Sequence, residues 1–212
     1  MGRKWAMTSG EEAANCLSHG LMAAVAMIAL PYVAVRGYID NGYIGAWTKS
    51  AFIMGIFLMF LASAIYHAMP QGSGAKSVCH ALDHISIFVA IAASYTPLAI
   101  LVVGGRFGWS VLAVQWGLVI YGAVTKLMSI KKGQKASLLI YLLMGWMAVI
   151  MLPSIVRNAS WGLLAWIIAG GLFYTIGSVI YALKGFRYHH LIWHILIILG
   201  AGSHFVAIVY NM

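Results

Sequence analysis

The segment from His190 to Tyr210 reads HLIWHILIILGAGSHFVAIVY, and it indicates both the class of the protein and its candidate chemistry. An α-helix of about 20 residues spans the ~30 Å hydrocarbon core of a bilayer. His190 and His194 stand four residues apart, so on such a helix both imidazoles project from one face. The segment therefore predicts a transmembrane helix that begins with a pair of potential metal ligands.

The rest of the chain is equally apolar. Of its 212 residues, 63% are hydrophobic and 8% are charged, and its mean hydropathy is +0.92. One aqueous core cannot bury so much apolar surface, so the composition predicts an all-α integral membrane protein. Apolar runs near residues 14–35, 45–68, 81–103, 109–128, 136–152, 161–183 and 190–210 predict seven transmembrane helices. Their short connections favour a single domain, a seven-helix bundle over residues 1–212.

The basic residues predict the orientation of this bundle. The side that holds the N-terminus carries nine of them, which are Arg3, Lys4, Lys76, Lys126, Lys131, Lys132, Lys135, Lys184 and Arg187. The opposite side carries four, which are Arg36, Lys49, Arg106 and Arg157. Because basic loops stay in the cytoplasm, the N-terminus should be cytoplasmic and the C-terminus outside. The positive charge thus indicates topology and anionic lipid, and no nucleic-acid partner is expected.

In this orientation the polar residues of several predicted helices share the cytoplasmic leaflet. They are Glu12, Asn15, His19, Ser63, His67, His80, Asp83, His84, His190 and His194. Each ionisable residue inside a span costs about 2.5–3.5 kcal/mol on insertion scales, so their clustering at one depth requires a shared reason. Neutral imidazoles from His67, His190 and His194 would supply three nitrogen ligands to Zn²⁺, and a catalytic zinc site leaves the fourth position to water.

Two further residues are candidates for catalysis beside this site. Asp83 could hold the water or accept its proton, and Ser63 could donate a hydrogen bond to the water or to the reacting group. A surface ion pair between Asp83 and Lys76 is the alternative interpretation of that carboxylate. Glu11 is expected to be a solvated acid in the first turn of its helix.

The ordered motifs of the chain resemble those of a known family. They are Glu12-x-x-Asn15-x-x-x-His19, Ser63-x-x-x-His67, Leu82-Asp83, Tyr95-Thr96-Pro97, His190-x-x-x-His194 and Ser203-His204-Phe205. This set resembles the hemolysin III family, the bacterial branch of the progestin and adipoQ receptor superfamily, which is related more remotely to alkaline ceramidases. The resemblance implies seven helices, a cytoplasmic N-terminus, zinc on His67, His190 and His194, and Ser63 and Asp83 beside the metal. It also implies hydrolysis of a lipid amide such as a ceramide.

We therefore expect a zinc-containing protein of the inner membrane, a hydrolase that acts on a lipid amide or ester from within the cytoplasmic leaflet. Membrane lipid is its expected substrate or ligand. Three alternatives stay open, namely a non-enzymatic regulator or sensor with structural zinc, an ion or proton pathway through His19, Asp83 and His204, and a hemolysin-like pore. A fourth metal position open to water favours the hydrolase, whereas a fourth protein ligand favours structural zinc.

Overall fold

The structure, a computed structural model, describes residues 7–128, 134–183 and 186–212. All regular structure in these ranges is helical, which confirms the all-α class. The helices are α1 (Ser9–Ala68), α2 (Gly74–Pro97), a π-helical turn (Leu98–Val103), α3 (Gly105–Met128), α4 (Gln134–Trp146), α5 (Ala148–Asn158), α6 (Trp161–Leu183) and α7 (His189–Tyr210).

Helix α1 is a hairpin of two limbs, residues 9–40 and 43–68. The helical backbone breaks at Asn41 and at Gly42, whose φ of +62° and ψ of −153° are a conformation that favours glycine. Beyond the break the second limb returns beside the first, so that the Glu12 carboxylate contacts the His67 ring. Both ends of α1 therefore lie at one end of the bundle, which we call the site end.

The two limbs approach each other closely where the chain turns. A Cβ atom on Gly37 would lie 2.6 Å from the carbonyl oxygen of Gly45, a separation that no side chain could tolerate. The segment between the first two predicted helices, residues 36–44, is helical except at Asn41 and Gly42. Two small residues let the backbones touch, as is common where helices pack in lipid.

Helix α7 runs parallel to the first limb of α1. Their contacts extend from Glu11 and Tyr188 at the site end to Tyr32 and Tyr210 at the other end. Helix α2 packs against α1 and starts at the site end, while α6 packs against α7. The start of α1, the end of α1 and the starts of α2 and α7 therefore converge, and they carry most of the polar residues that the sequence analysis selected.

The surface of the bundle is apolar, and several polar side chains are buried among its apolar core residues. Large apolar side chains such as Tyr43 and Trp161 are 83% and 81% exposed, whereas Asn15, His19 and His194 are buried. Six helices of the described ranges are long and apolar enough to cross a membrane, counting residues 137–158 as one and the α1 hairpin as one. This distribution is expected when the solvent around the protein is lipid.

The predicted helix at residues 136–152 differs from the observed structure. It divides at Met147 into α4 and α5 and continues to Asn158. Side chains from two neighbouring helices bind carbonyl groups at this break. The Tyr95 hydroxyl donates to the Gly145 carbonyl at 2.6 Å, and the Gln115 amide donates to the Met144 carbonyl at 2.9 Å. Inserted donors of this kind are a recognised cause of helix breaks.

Candidate metal centre

Three buried histidines meet at the site end. His67 lies in the last turn of α1, and His190 and His194 lie in the first two turns of α7. One ring nitrogen from each lies within 4.8 Å of the others. The structure thus brings together the three residues that the sequence analysis selected as ligands, and in the described ranges they form a group that could hold a metal ion.

The separation of two of these nitrogens fits a tetrahedral cation. The Nε2 atoms of His67 and His190 are 3.2 Å apart. Two nitrogens bound at 2.0–2.1 Å to a tetrahedral Zn²⁺ would be about 3.3–3.4 Å apart. The Nε2 atom of His194 is buried without a hydrogen-bond partner, a state that costs about 1–3 kcal/mol unless something binds it. A metal ion on these nitrogens would satisfy it.

Glu12 supports His67 from the first limb of α1. Its Oε2 atom lies 2.6 Å from Nδ1 of His67, while its Oε1 atom accepts from the Gln71 amide and lies 3.1 Å from Nζ of Lys76. The motif Glu12-x-x-Asn15-x-x-x-His19 predicts no role for Glu12 by itself. Its partner His67 is 55 residues away and is brought close only by the hairpin.

Ser18 and His19 contact His194 from the same limb. The Ser18 hydroxyl donates to the Asn15 carbonyl at 3.0 Å and lies 3.4 Å from Nδ1 of His194. The His19 ring stacks on the His194 ring with centroids 3.6 Å apart and planes 6° from parallel. Ser18 was not predicted as a site residue, because its partner His194 is 176 residues away.

Asp83 and Ser63 are both buried. Ser63 lies one turn before His67 on α1, and its hydroxyl is near the Asp83 carboxylate. The alternative ion pair between Asp83 and Lys76 is wrong, since Lys76 instead lies against Glu12. Asp83 is not one of the three grouped ligands.

Glu11 is buried, which corrects the expectation of a solvated acid. Only 9% of it is exposed, and its carboxylate accepts from the main-chain N–H of Thr8 at 2.8 Å and from that of Tyr188 at 2.9 Å. Tyr188 has a φ of +61° and immediately precedes α7. Glu11 thus joins the first turn of α1 to the residue that precedes α7.

His204 lies away from the group. It is ten residues beyond His194, about 15 Å along the helix, and its ring packs edge-on against Tyr174 of α6 with centroids 5.3 Å apart. It cannot bind the same ion as the three grouped histidines.

Comparison with known proteins agrees with this geometry. The family described as haemolysin-III related matches residues 7–205. The chain belongs to the haemolysin III family. The resemblance drawn from the motifs is therefore confirmed, and the matched region includes every grouped histidine, Asp83 and Ser63.

Relatives of this haemolysin III protein align over almost its whole length. Hemolysin-3 of Bacillus cereus is 27% identical over 94% of this chain and 91% of its own. A Hemolysin-3 homolog of Bacillus subtilis is 29% identical over 96% and 95%. The human monocyte to macrophage differentiation factor is 27% identical over 95% and 84%. Together with the apolar helices, these relatives identify a multi-pass protein of the plasma membrane, the inner membrane in bacteria.

Proposed function

We propose that this protein crosses the membrane seven times, with the N-terminus and the site end in the cytoplasmic leaflet. A straight helix of the length of α1 would extend about 90 Å, three times the thickness of the hydrocarbon, and its hairpin supports two crossings instead. Lys76 pairs with Glu12 at the site end, while Arg36 and Lys49 both pair with Asp40 on the opposite side, so the basic excess of the site end persists. Arg3, Lys4, Lys131, Lys132 and Lys184, which contribute to that excess, lie outside the described residues.

We further propose that the histidine group binds Zn²⁺ and that the protein hydrolyses an amide or ester bond of a membrane lipid. The observation that carries this proposal is three converging imidazole nitrogens without a fourth protein ligand in the described ranges. Structural zinc sites are closed by four protein ligands, whereas catalytic sites use three. The open position therefore favours catalysis over structural zinc.

The chain's own residues have distinct parts in this proposal. Zinc, when bound, would polarise the lipid carbonyl and acidify a water molecule. Asp83, a buried carboxylate in the third turn of α2, accepts the proton of the attacking water. Ser63, one turn before His67 on α1, donates a hydrogen bond from its hydroxyl to the reacting oxygen.

The site suits a lipid substrate because of where it lies. The buried histidines are in the end turns of helices whose outer faces carry exposed apolar side chains such as Leu17 and Ile195. A lipid headgroup linkage lies at the same depth as the first turns of a transmembrane helix. The substrate could then reach the site from the bilayer, with its acyl chains remaining among apolar side chains.

Release of fatty acid tests the proposal. Wild type and Asp83→Asn are purified, their zinc content is measured, and each is incubated with a panel of ceramides and other N-acyl and O-acyl lipids. We expect wild type to release fatty acid, and Asp83→Asn to retain zinc and its melting temperature but to lose activity. Glu11→Gln is the matched control, since it also removes a buried carboxylate from the site end but contacts no grouped histidine.

Two outcomes would contradict the proposal in different ways. Absence of release by zinc-loaded wild type on every lipid would favour the non-enzymatic regulator with structural zinc. In that case loss of His67 should lower the melting temperature sharply, since metal binding would contribute directly to folding. Equal release by wild type and Asp83→Asn would remove Asp83 from the mechanism.

A further inference from the structure

The first limb of α1 supplies none of the three grouped nitrogens, yet it contacts two of the three histidines that do. Glu12 reaches Nδ1 of His67, and Ser18 reaches Nδ1 of His194. This leaves Nε2 of His67 facing Nε2 of His190, and Nε2 of His194 buried without a protein partner. An imidazole binds a metal only through a nitrogen that carries no proton, so the tautomer of each ring decides whether it is ready to bind.

We propose that Glu12 and Ser18 are positioning residues that hold His67 and His194 in the Nδ1-protonated tautomer, so that both rings offer an unprotonated Nε2 to the metal. The inference rests on the proposed function, because it assumes that the group binds a cation. It extends that function by assigning to the first limb of α1, which provides none of the three ligands, control of the tautomers of two of them.

The Glu12 carboxylate determines which ring nitrogen of His67 carries the proton. An ionised carboxylate is an acceptor only, so its contact with Nδ1 of His67 at 2.6 Å requires a proton on Nδ1. Two donors, the Gln71 amide and the Lys76 ammonium, approach the other carboxylate oxygen. Lys76 is itself held by the carbonyls of Tyr66 and Met69 at the end of α1. The carboxylate is therefore held in place and cannot turn away from His67.

The Ser18 hydroxyl has one proton, and the acceptor of that proton determines how its oxygen contacts His194. When the hydroxyl donates to the Asn15 carbonyl, its closer partner at 3.0 Å, its oxygen is left to accept from His194. In that arrangement the 3.4 Å contact with Nδ1 of His194 places the ring proton on Nδ1. The buried Nε2 of His194 lacks a protein partner, which agrees with an unprotonated nitrogen that awaits a cation.

The predicted size of the effect follows from other metal sites. Removal of an outer partner of a ligating histidine typically weakens metal affinity 10–100-fold. We expect Glu12→Gln to fall within this range, because an amide can donate to Nδ1 and so stabilise the wrong tautomer. Ser18→Ala should have the smaller effect, about 10-fold, since its contact is longer and uncharged.

The experiment measures the tautomer and the affinity separately. Metal-free protein with ¹⁵N-labelled histidine is examined by NMR, whose ring-nitrogen shifts distinguish Nδ1–H from Nε2–H, and the His67 and His194 signals are assigned by single substitution. Zinc affinity is measured by competition with a chelator. We expect Nδ1–H on both rings in wild type, and a mixture at His67 in Glu12→Gln and at His194 in Ser18→Ala.

Matched controls separate positioning from a general loss of structure. Glu11→Gln changes the adjacent buried acid, and Ser94→Ala removes a hydroxyl that also donates to a helix carbonyl, but neither contacts a grouped histidine. We expect both controls to keep the wild-type tautomers and zinc affinity, even if Glu11→Gln melts at a lower temperature.

The outcomes distinguish this inference from the proposed function. Unchanged tautomers and zinc affinity within twofold of wild type in Glu12→Gln and Ser18→Ala would overturn the inference. An equal effect in the controls would also overturn it. If wild type binds no zinc, the proposed function fails, but the tautomers of the metal-free protein still decide whether Glu12 and Ser18 position the rings.

Discussion

Asp40→Asn should destabilise the protein strongly, although Asp40 lies far from the histidines. Its Oδ2 atom lies 2.9 Å from Nζ of Lys49, whose side chain is 0% exposed. Removal of one partner from a buried ion pair costs about 3–5 kcal/mol, because it leaves a buried charge without compensation. Lys49 would keep one bond, to the main-chain oxygen of Met212 at 3.1 Å, so we expect the lower value, about 3 kcal/mol.

This cost can be measured by thermal melting in detergent at fixed zinc concentration. At ~2–4 °C per kcal/mol for a chain of this size, Asp40→Asn should lower the melting temperature by about 6–12 °C. Arg36→Gln is the control, because Arg36 contacts the same carboxylate but is 44% exposed, and exposed pairs contribute about 0–1 kcal/mol. Zinc content should not change in either variant.

The double variant Asp40→Asn with Lys49→Met completes the test. It removes both buried charges, so it should recover most of the stability that Asp40→Asn loses. A double variant as unstable as Asp40→Asn alone would refute the reasoning. So would a shift in Asp40→Asn no larger than that of the exposed control.

The remaining predictions concern the metal and the topology. Purified protein should contain stoichiometric zinc, measured by elemental analysis, and His190→Ala or His194→Ala should remove it; full zinc content in both variants would refute the assignment of these ligands. A reporter fused after Met212 should be active on the outer face of the membrane, as the basic residues of the opposite side indicate. A cytoplasmic signal would show that the orientation or the number of crossings is wrong.

Much of the fold follows from local features of the sequence. The helix predicted at 161–183 is α6 with the same bounds, and the predicted start of the last helix at His190 differs by one residue from the observed His189. These elements are predictable because the length of an apolar run is a local property and the surrounding lipid requires the backbone of each run to form its own hydrogen bonds. The pairing of His190 with His194 is equally local, since it depends only on helical periodicity.

The errors lie where distant segments meet. The division of the fifth predicted helix into α4 and α5 depends on donors from Tyr95 and Gln115, which belong to other helices. Glu11 was expected in solvent because its own turn is polar, but the loop before α7 covers it. Neither contact leaves a periodic pattern in the sequence, so no count of residue spacing could predict it.

The sequence by itself determined that this chain is a helical membrane protein and that His67, His190 and His194 are candidate ligands, because hydropathy and the four-residue spacing are properties of short segments. Only the tertiary structure decided which side chains contact the other ring nitrogens of those ligands. Glu12 meets His67 across 55 residues and Ser18 meets His194 across 176. Such contacts depend on how the α1 hairpin and α7 pack, and packing is set by the whole bundle at once.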